Sequence, residues 1–435
     1  MQTAVTDVEN IDENSIDGWQ PITIDEAFEF TRKPRSLDIP EGEPIPFIPM
    51  DGISESSRKI NYAENRTLEE IKSGSFVFKD DLLIAKITPS FENGKQAILA
   101  DLSNDYGYAT TEVWVLHPKK KVKMLTEYLF YYLRRGKVRS DLAGKMEGST
   151  GRQRLPKGVL KSLEFNSPPL NEQQKIVSIL NTIQDAIKQT EAVIQATREL
   201  KKSLMKHLFT YGPVPVDQTD QVELKETEVG VVPSEWKVIE LKKLYRERVY
   251  NGAFVKKDKF GEGTPFLNVK DTYKSLEVSP SQLERVNVKQ TEIDKYRLKN
   301  GDLIYVRSSL KREGVGNCCI FESSDKEVIY DCHLMRVRID TQKANPKFLA
   351  YYSNSPSGKE ELIAKSKTTT MTTINQASLG SLKVPLPPVQ KQNRIVHAID
   401  LISEKEKMEI DKKKSIEALF NSLLENLMTA KVRVV

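Results

Sequence analysis

Three places in the chain combine side chains that do chemistry in other proteins. The string Asn166-Ser167-Pro168-Pro169-Leu170 comes nearest to the Asn/Asp-Pro-Pro-aromatic loop an amino-methyltransferase needs beside a glycine-rich cofactor turn, but it has serine second and leucine last. Its counterpart Pro385-Leu386-Pro387-Pro388 assigns the prolines to a recurring joint instead. Cys318, Cys319, Cys332 and His333 offer soft ligands for zinc. Adjacent cysteines on a strand point to opposite faces, and no Cys-x-x-Cys spacing is present, so they read as small buried hydrophobes and no metal is expected. Glu240-Leu241-Lys242 has the end of a nuclease spacing without an upstream acid, and reads as a solvated helix. His117, His207 and His397 stand apart with no evident carboxylate partner in sequence, and no G-x-x-x-x-G-K-[ST] phosphate loop occurs. No catalytic residue is expected.

Contact chemistry is better represented. Lys86, Thr88, Ser90 and Lys95 fall in one loop that follows an apolar run, and Arg307, Ser308, Ser309, Lys311 and Arg312 fall in another. Both mix hydroxyls with cations and reach a glycine, a composition suited to phosphates and base edges. Further on, Gly151-Arg152-Gln153-Arg154 aligns with Thr370-Met371-Thr372-Thr373, near Lys367 and Thr369. Any one of these cations is better read as part of a solvated loop. Two such loops recurring in both halves raise nucleic-acid contact to an equal alternative.

These loops recur because the chain is written twice. Asp81-Leu82 returns as Asp302-Leu303, Tyr131-Tyr132 as Tyr351-Tyr352, Pro168-Pro169 as Pro387-Pro388 and Ile176-Val177 as Ile395-Val396, with Trp19 and Trp236 opening the halves. Segments 76–78, 82–87, 96–99 and 113–116 read as strands, echoed by 302–307, 317–321 and 334–339, with a short helix in each half near Leu129 and Phe348. Each Pro-Pro pair forces extended backbone and releases a helix, at Leu170 and at Val389. The first helix carries a seam at Ile176, Leu180, Ile183, Ile187, Thr190, Ile194, Thr197, Leu204 and Leu208; the second carries Ile395, Ile399, Ile402, Ile416, Phe420, Leu423 and Leu427. Glu406, Glu409 and Lys413 interrupt the second seam; a registry device is one reading and a docking surface for another chain a second. Antiparallel packing of one seam on the other is the expected solution. The segment with Gly212, Pro213, Pro215 and Gly230 reads as a linker.

Composition bounds the rest. A length of 435 residues suggests about three units. With 66 Lys and Arg against 61 Asp and Glu, the net charge of +5 is too small to establish nucleic-acid binding alone. No apolar run approaches a membrane span, residues 1–16 are too acidic and polar for a signal peptide, and three cysteines form no disulfide framework. A cytoplasmic location without a membrane is expected.

The order globule, Pro-Pro joint, long helix, linker, then the same again resembles the specificity (S) subunits of type I restriction–modification systems. The residues that carry it are 80–87 and 301–307, the joints Pro168-Pro169-Leu170-Asn171-Glu172-Gln173-Gln174 and Pro387-Pro388-Val389-Gln390-Lys391-Gln392-Asn393, and the opener Val231-Val232-Pro233-Ser234-Glu235-Trp236. Lys391-Gln392-Asn393 departs from the Glu-Gln that family favours. The resemblance implies an α+β fold: two tandem mixed α/β target-recognition domains (1–166 and 234–386) and two conserved helical regions (167–211 and 387–435), with a linker at 212–233. It also implies a non-catalytic subunit in which each domain reads half of an asymmetric site on double-stranded DNA. The helices would set the spacer and dock two modification (methyltransferase) subunits, which restriction (translocase and nuclease) subunits would join. S-adenosylmethionine, ATP and magnesium are expected on those partners and none in this chain. A self-sufficient DNA-modifying enzyme with a degenerate cofactor site, and a protein-binding coiled-coil scaffold, are the alternatives.

Overall fold

The structure, a computed structural model, describes residues 18–323 and 326–434, so the acidic opening at 1–16 lies outside the described residues. No described helix is long and apolar enough to cross a membrane. The chain divides into two compact units, one made of residues up to 192 with those from 410 on, the other of residues 193–409. That division cuts both long helices. The sequence boundaries at 166, 211, 233 and 386 follow the helix ends, whereas burial groups each half-helix with the globule it packs on.

In the first unit, Val113–Pro118 pairs antiparallel with Phe28–Phe30 and with Leu82–Ala85, which pairs in turn with Gln96–Ile98. Leu82–Ala85 shows no apolar alternation because both of its faces are covered. Leu82 and Ile84 join a core with Phe28 and Tyr128, while Leu83 joins a second core with Val77 and Val115. A further sheet runs Glu64–Arg66, Ile45–Ile48, Tyr106–Ala109, Ser75–Phe78. The pattern of the sequence concealed Ile45–Ile48, since Pro46 argues against a central strand.

The second unit repeats the first sheet. Asp302–Val306 lies between Cys318–Phe321 and Leu334–Val337, with Tyr250–Asn251 and Glu277–Val278 outside them. Cys318 and Cys319 are buried in different cores on the two faces of their strand. The segment read as a linker is ordered: Leu224–Thr227 and Gly230–Pro233 form an antiparallel hairpin that delivers Val232 to the core. Gly230, at φ +97°, makes that tight turn, and Lys225 Nζ ties it to the carbonyls of Ser234 and Trp236 at 2.8 and 2.6 Å.

Each globule closes by pairing its first strand with its last. Gln20–Thr23 runs against Glu164–Ser167, and Lys237–Glu240 against Lys383–Leu386. The prolines follow at once, and the helices Leu170–Tyr211 and Val389–Met428 begin where the sequence places them. One buried glutamine fixes each joint. Gln173 accepts from Leu125 N at 2.9 Å and donates to Pro168 O at 2.9 Å; Gln392 accepts from Asn345 N at 2.7 Å and donates to Pro387 O at 2.8 Å. Both side chains are essentially sealed from solvent.

The helices run antiparallel within each unit. Ile176 and Leu180 share a core with Phe420 and Leu427, and Leu208 shares one with Ile395 and Ile399. Ile194 is buried as well, whereas Ile183, Ile187, Leu204, Ile402, Ile416 and Leu423 are only partly covered. At their ends the seams also bury against the globules. Tyr131 meets Phe420 at 6.1 Å between ring centres, and Phe209 meets Phe348 at 5.6 Å. The polar middle has partners across the pair: Glu406 takes Arg198 at 2.8 Å and Lys201 at 3.5 Å, and Lys413 takes Glu191 at 3.1 Å. Exposed ion pairs contribute less than ~1 kcal/mol each, so they select a register more than they add stability.

Replacing Gln392 by Met keeps the volume but leaves the Asn345 N–H and one acceptor of Pro387 unpaired in the interior. It should cost about 1–3 kcal/mol. Thermal unfolding of Gln392→Met and Gln173→Met should show a lowered midpoint for both; an unchanged midpoint in both would remove the joint from the account.

Candidate nucleic-acid interface

Each central strand starts at a buried aspartate and ends at a cation. Asp81 and Asp302 are fully buried. Asp302 receives a forked pair from Arg338, Nε to Oδ1 at 2.7 Å and Nη2 to Oδ2 at 2.8 Å, and the backbone N of Lys299 at 2.7 Å. Asp81 receives Thr31 Oγ1 and Phe78 N, both at 2.8 Å, and lies 2.6 Å from His117 Nδ1. His117 therefore has the carboxylate partner that the sequence did not reveal. Both partners lie 36 residues after their aspartate, so His117 occupies the place of Arg338 in the repeat. Burial pushes the Asp81 carboxyl upward, against the pull of Phe78 N and His117. The forked pair to Asp302 raises the Arg338 guanidinium.

From that anchor the strand carries Lys86 or Arg307 out of the sheet, and the two candidate loops of each unit meet there. In the first unit, Leu155 N donates to Lys86 O at 2.8 Å and Thr88 N to Gln153 O at 3.0 Å, with Ile87 bridged to Arg154. In the second unit, Ile374 N donates to Arg307 O at 2.9 Å, and Ser308–Ser309 pairs with Thr372–Thr373, which pairs with Lys367–Thr368. Loops more than sixty residues apart in sequence are thereby joined, twice, by equivalent backbone bonds.

The side chains fare differently. Arg152 is exposed, and no carboxylate pairs with it among the described residues. Lys311, Arg312, Lys367 and Thr369 are also exposed, Arg307 is half-buried and Gln153 half-buried. Arg154 is held by Glu112 at 2.8 Å. Lys86 lies 4.4 Å above the Trp114 ring, and burial lowers its ammonium. Thr88 Oγ1 donates to Glu92 at 2.7 Å and Lys95 Nζ to Met50 O at 2.8 Å, so both are engaged inside the loop; Ser90 is half-buried. Ser308 and Ser309 are buried, which corrects their reading as contact residues: Ser309 Oγ accepts from Lys311 N at 3.2 Å inside the loop, and neither hydroxyl lies on the surface.

Burial pushes the Cys318 thiol up to about 12, and Cys318 and Cys319 face different cores, so the adjacent pair does not converge on one point. Cys332 and His333 do come together with Asp331, their ligand atoms within 4.8 Å of one another. That turn has a structural task, because His333 O accepts from Arg307 N at 2.7 Å. Glu240 ends the strand Lys237–Glu240 and pairs at 2.8 Å with Lys242 on the short 3-10 turn Leu241–Leu244, so the pair does not sit on a longer helix.

The family model for the type I restriction modification DNA specificity domain matches this chain twice, at residues 16–196 and 233–418. The putative type I restriction enzyme MjaX specificity subunit of Methanocaldococcus jannaschii is 24% identical over 397 residues, spanning 89% of this chain and 87% of that protein. The MjaVIII specificity subunit of the same organism is 25% identical over 338 residues, 75% of each chain. In fold, the type I restriction–modification S subunit from M. genitalium superposes with a TM-score of 0.57 at 14% identity, over 97% of this chain and 98% of that one.

The two anchors should respond differently to loss of charge. Asp302→Asn faces a guanidinium that cannot shed its proton, and should cost about 3 kcal/mol or more. Asp81→Asn keeps its acceptor for Thr31 and Phe78 and strands no guanidinium, and should cost about 1 kcal/mol. Unfolding midpoints of the two variants compare them directly; equal losses would refute the distinction.

Proposed function

The chain belongs to the type I restriction modification DNA specificity family and carries its domain twice, and from that premise we propose that each unit reads one half of a split, asymmetric site on double-stranded DNA. The observation that carries this reading is the pairing of loops around Lys86 and around Arg307. The backbone frame is the same in both, while the exposed side chains differ: Arg152 in one, Thr369, Thr370 and Lys367 in the other. A shared frame places both loops alike, and different donors then select different bases.

On this reading the chain is a non-catalytic subunit of a larger complex working in a reducing cytoplasm, a setting that the free cysteines support. The antiparallel helices would set the spacer between half-sites and dock two modification subunits, to which restriction subunits would add. Methyl transfer to adenine N6 from S-adenosylmethionine would take place on the modification subunits, and ATP and magnesium would serve the restriction subunits. Because a target base must leave the stack to be methylated, this subunit would also hold opened duplex.

Arg152 presents a free guanidinium fork, whereas Arg154 is committed to Glu112. Arg152→Ala should relax discrimination in one half-site only, by about 1–3 kcal/mol at the affected base pair, and Arg154→Ala should do less. Affinities of the assembled complex for single-base variants of both half-sites test this. A loss uniform over all sequences, with a shallower salt dependence, would reassign Arg152 to phosphate contact. Incubation of the chain alone with labelled S-adenosylmethionine and DNA should transfer no methyl group; transfer would establish the self-sufficient enzyme instead.

A further inference from the structure

Beyond its recognition loops, the first unit carries a band of lysines on aromatic rings, whereas at the corresponding edge of the second unit the described residues place Arg248 and Arg336 on Tyr250, with Arg336 paired to Glu247. The band starts at Lys86, above the Trp114 ring at 4.4 Å. Trp114, fixed by its Nε1 bond to Leu155 O at 3.0 Å, meets Phe30 edge-on at 5.5 Å. Lys157 Nζ lies 4.1 Å from the Phe30 ring centre and 5.8 Å from that of Trp114, and Lys161 Nζ lies 6.0 Å from Phe30. The band then opens into a groove of about 1100 Å³ lined by seven Lys and Arg side chains and three carboxylates.

The cations in this groove outnumber their counterions. Asp25 serves Lys161 at 2.6 Å, and its carbonyl takes Lys119 at 2.5 Å. Lys157, Arg32 and Lys120 have no ion-pair partner among the described residues. Burial, then Arg32 and Lys161, holds the Lys157 ammonium below the usual lysine range. The Phe30 face holds the Lys157 ammonium in place without neutralising it, while Asp25 pairs Lys161. Fixed, crowded and unpaired positive charge is what a polyanion relieves.

The repeat supplies an internal comparison. Lys157–Lys161 is the short helix before the closing strand of the first unit, and Gln376–Gly380 is its counterpart in the second. Gln376 stands where Lys157 does, Gly380 where Lys161 does, and buried Met335 where Trp114 does. At Gly380 there is little room for a longer side chain, since a Cβ there would already sit 3.2 Å from that of Lys242. The lysine pair on Phe30 and Trp114 is therefore a property of one unit and not of the shared frame.

We propose that the Lys157–Lys161–Arg32 groove of the first unit is a phosphate track for duplex DNA that continues from the Lys86 and Arg152 loops, giving this unit a sequence-independent hold the second unit does not have. The proposal rests on the DNA-recognition reading above. It makes the two half-sites unequal in how they are held: the first is gripped along its backbone as well as read.

Salt titration of the full chain binding a fluorescein-labelled, random-sequence duplex tests it. Each phosphate contact contributes about 0.9 to the slope of log K against log salt concentration. Lys157→Gln with Lys161→Gln and Arg32→Gln should lower the slope by about 2 to 3, and Lys157→Arg with Lys161→Arg should retain it. Removing the cations next to the counterpart helix, by Lys242→Gln with Lys243→Gln, should change it by less than about half a contact. An unaltered slope in the triple variant, or an equal loss in the second-unit control, would overturn the track while leaving DNA recognition standing. Absence of salt-dependent binding both by the unmodified chain and by the chain assembled with its modification subunits would instead overturn the DNA-recognition reading itself.

Discussion

A buried amide at the start of each long helix governs how the rest of the molecule can be arranged. Gln173 and Gln392 each satisfy a backbone N–H of the globule and a proline carbonyl of the joint, out of reach of water. A hydrogen bond of this kind adds little net stability when made and costs more when broken, because its partners have nowhere else to turn. The globule is thus clamped to its helix at one angle. Pairing of the first strand with the last brings the chain back to that point, and the prolines remove any helical alternative just before it. Loop position relative to helix follows from these three local constraints in both halves.

Inside the globules the same economy applies to charge. A carboxylate at the head of the central strand is buried twice, and each time the structure supplies donors to it. The residue before it is left-handed in both copies, Asp80 at φ +67° and Gly301 at φ +82°. Duplication has preserved this geometry while exchanging Arg338 for His117 and glycine for aspartate. The long helices follow the opposite rule: their apolar ends define stability, and their charged middle, Glu406 and Lys413 with Arg198 and Glu191, defines alignment.

Much of this was legible in the residues. The repeat, the Pro-Pro joints, the central strands and the helix seams are local or periodic signals, and they survive folding because burial selects the same periodicity. What escaped was either nonlocal or contrary to local propensity. Ile45–Ile48 hides behind Pro46, and the Leu224–Thr227 hairpin hides in a charged, glycine-bearing stretch whose composition suits a linker. The His117–Asp81 contact spans two strands that only the sheet register brings together. Among the candidate interface residues, type and spacing placed the loops but not the exposure of each side chain. Ser308 and Ser309 carry the right hydroxyls, but the strand they form is covered on both faces. The cation band was invisible for the same reason, since Phe30, Trp114 and Lys157 approach one another only in the folded unit.

The central claim is that one chain reads two unlike DNA half-sites through two copies of one frame. Mapping methylated adenines in DNA from cells with and without this gene addresses it most directly. The account predicts a gene-dependent motif of two different half-sites separated by a fixed, unread spacer. A palindromic motif, a single contiguous one, or no gene-dependent methylation at all would contradict it.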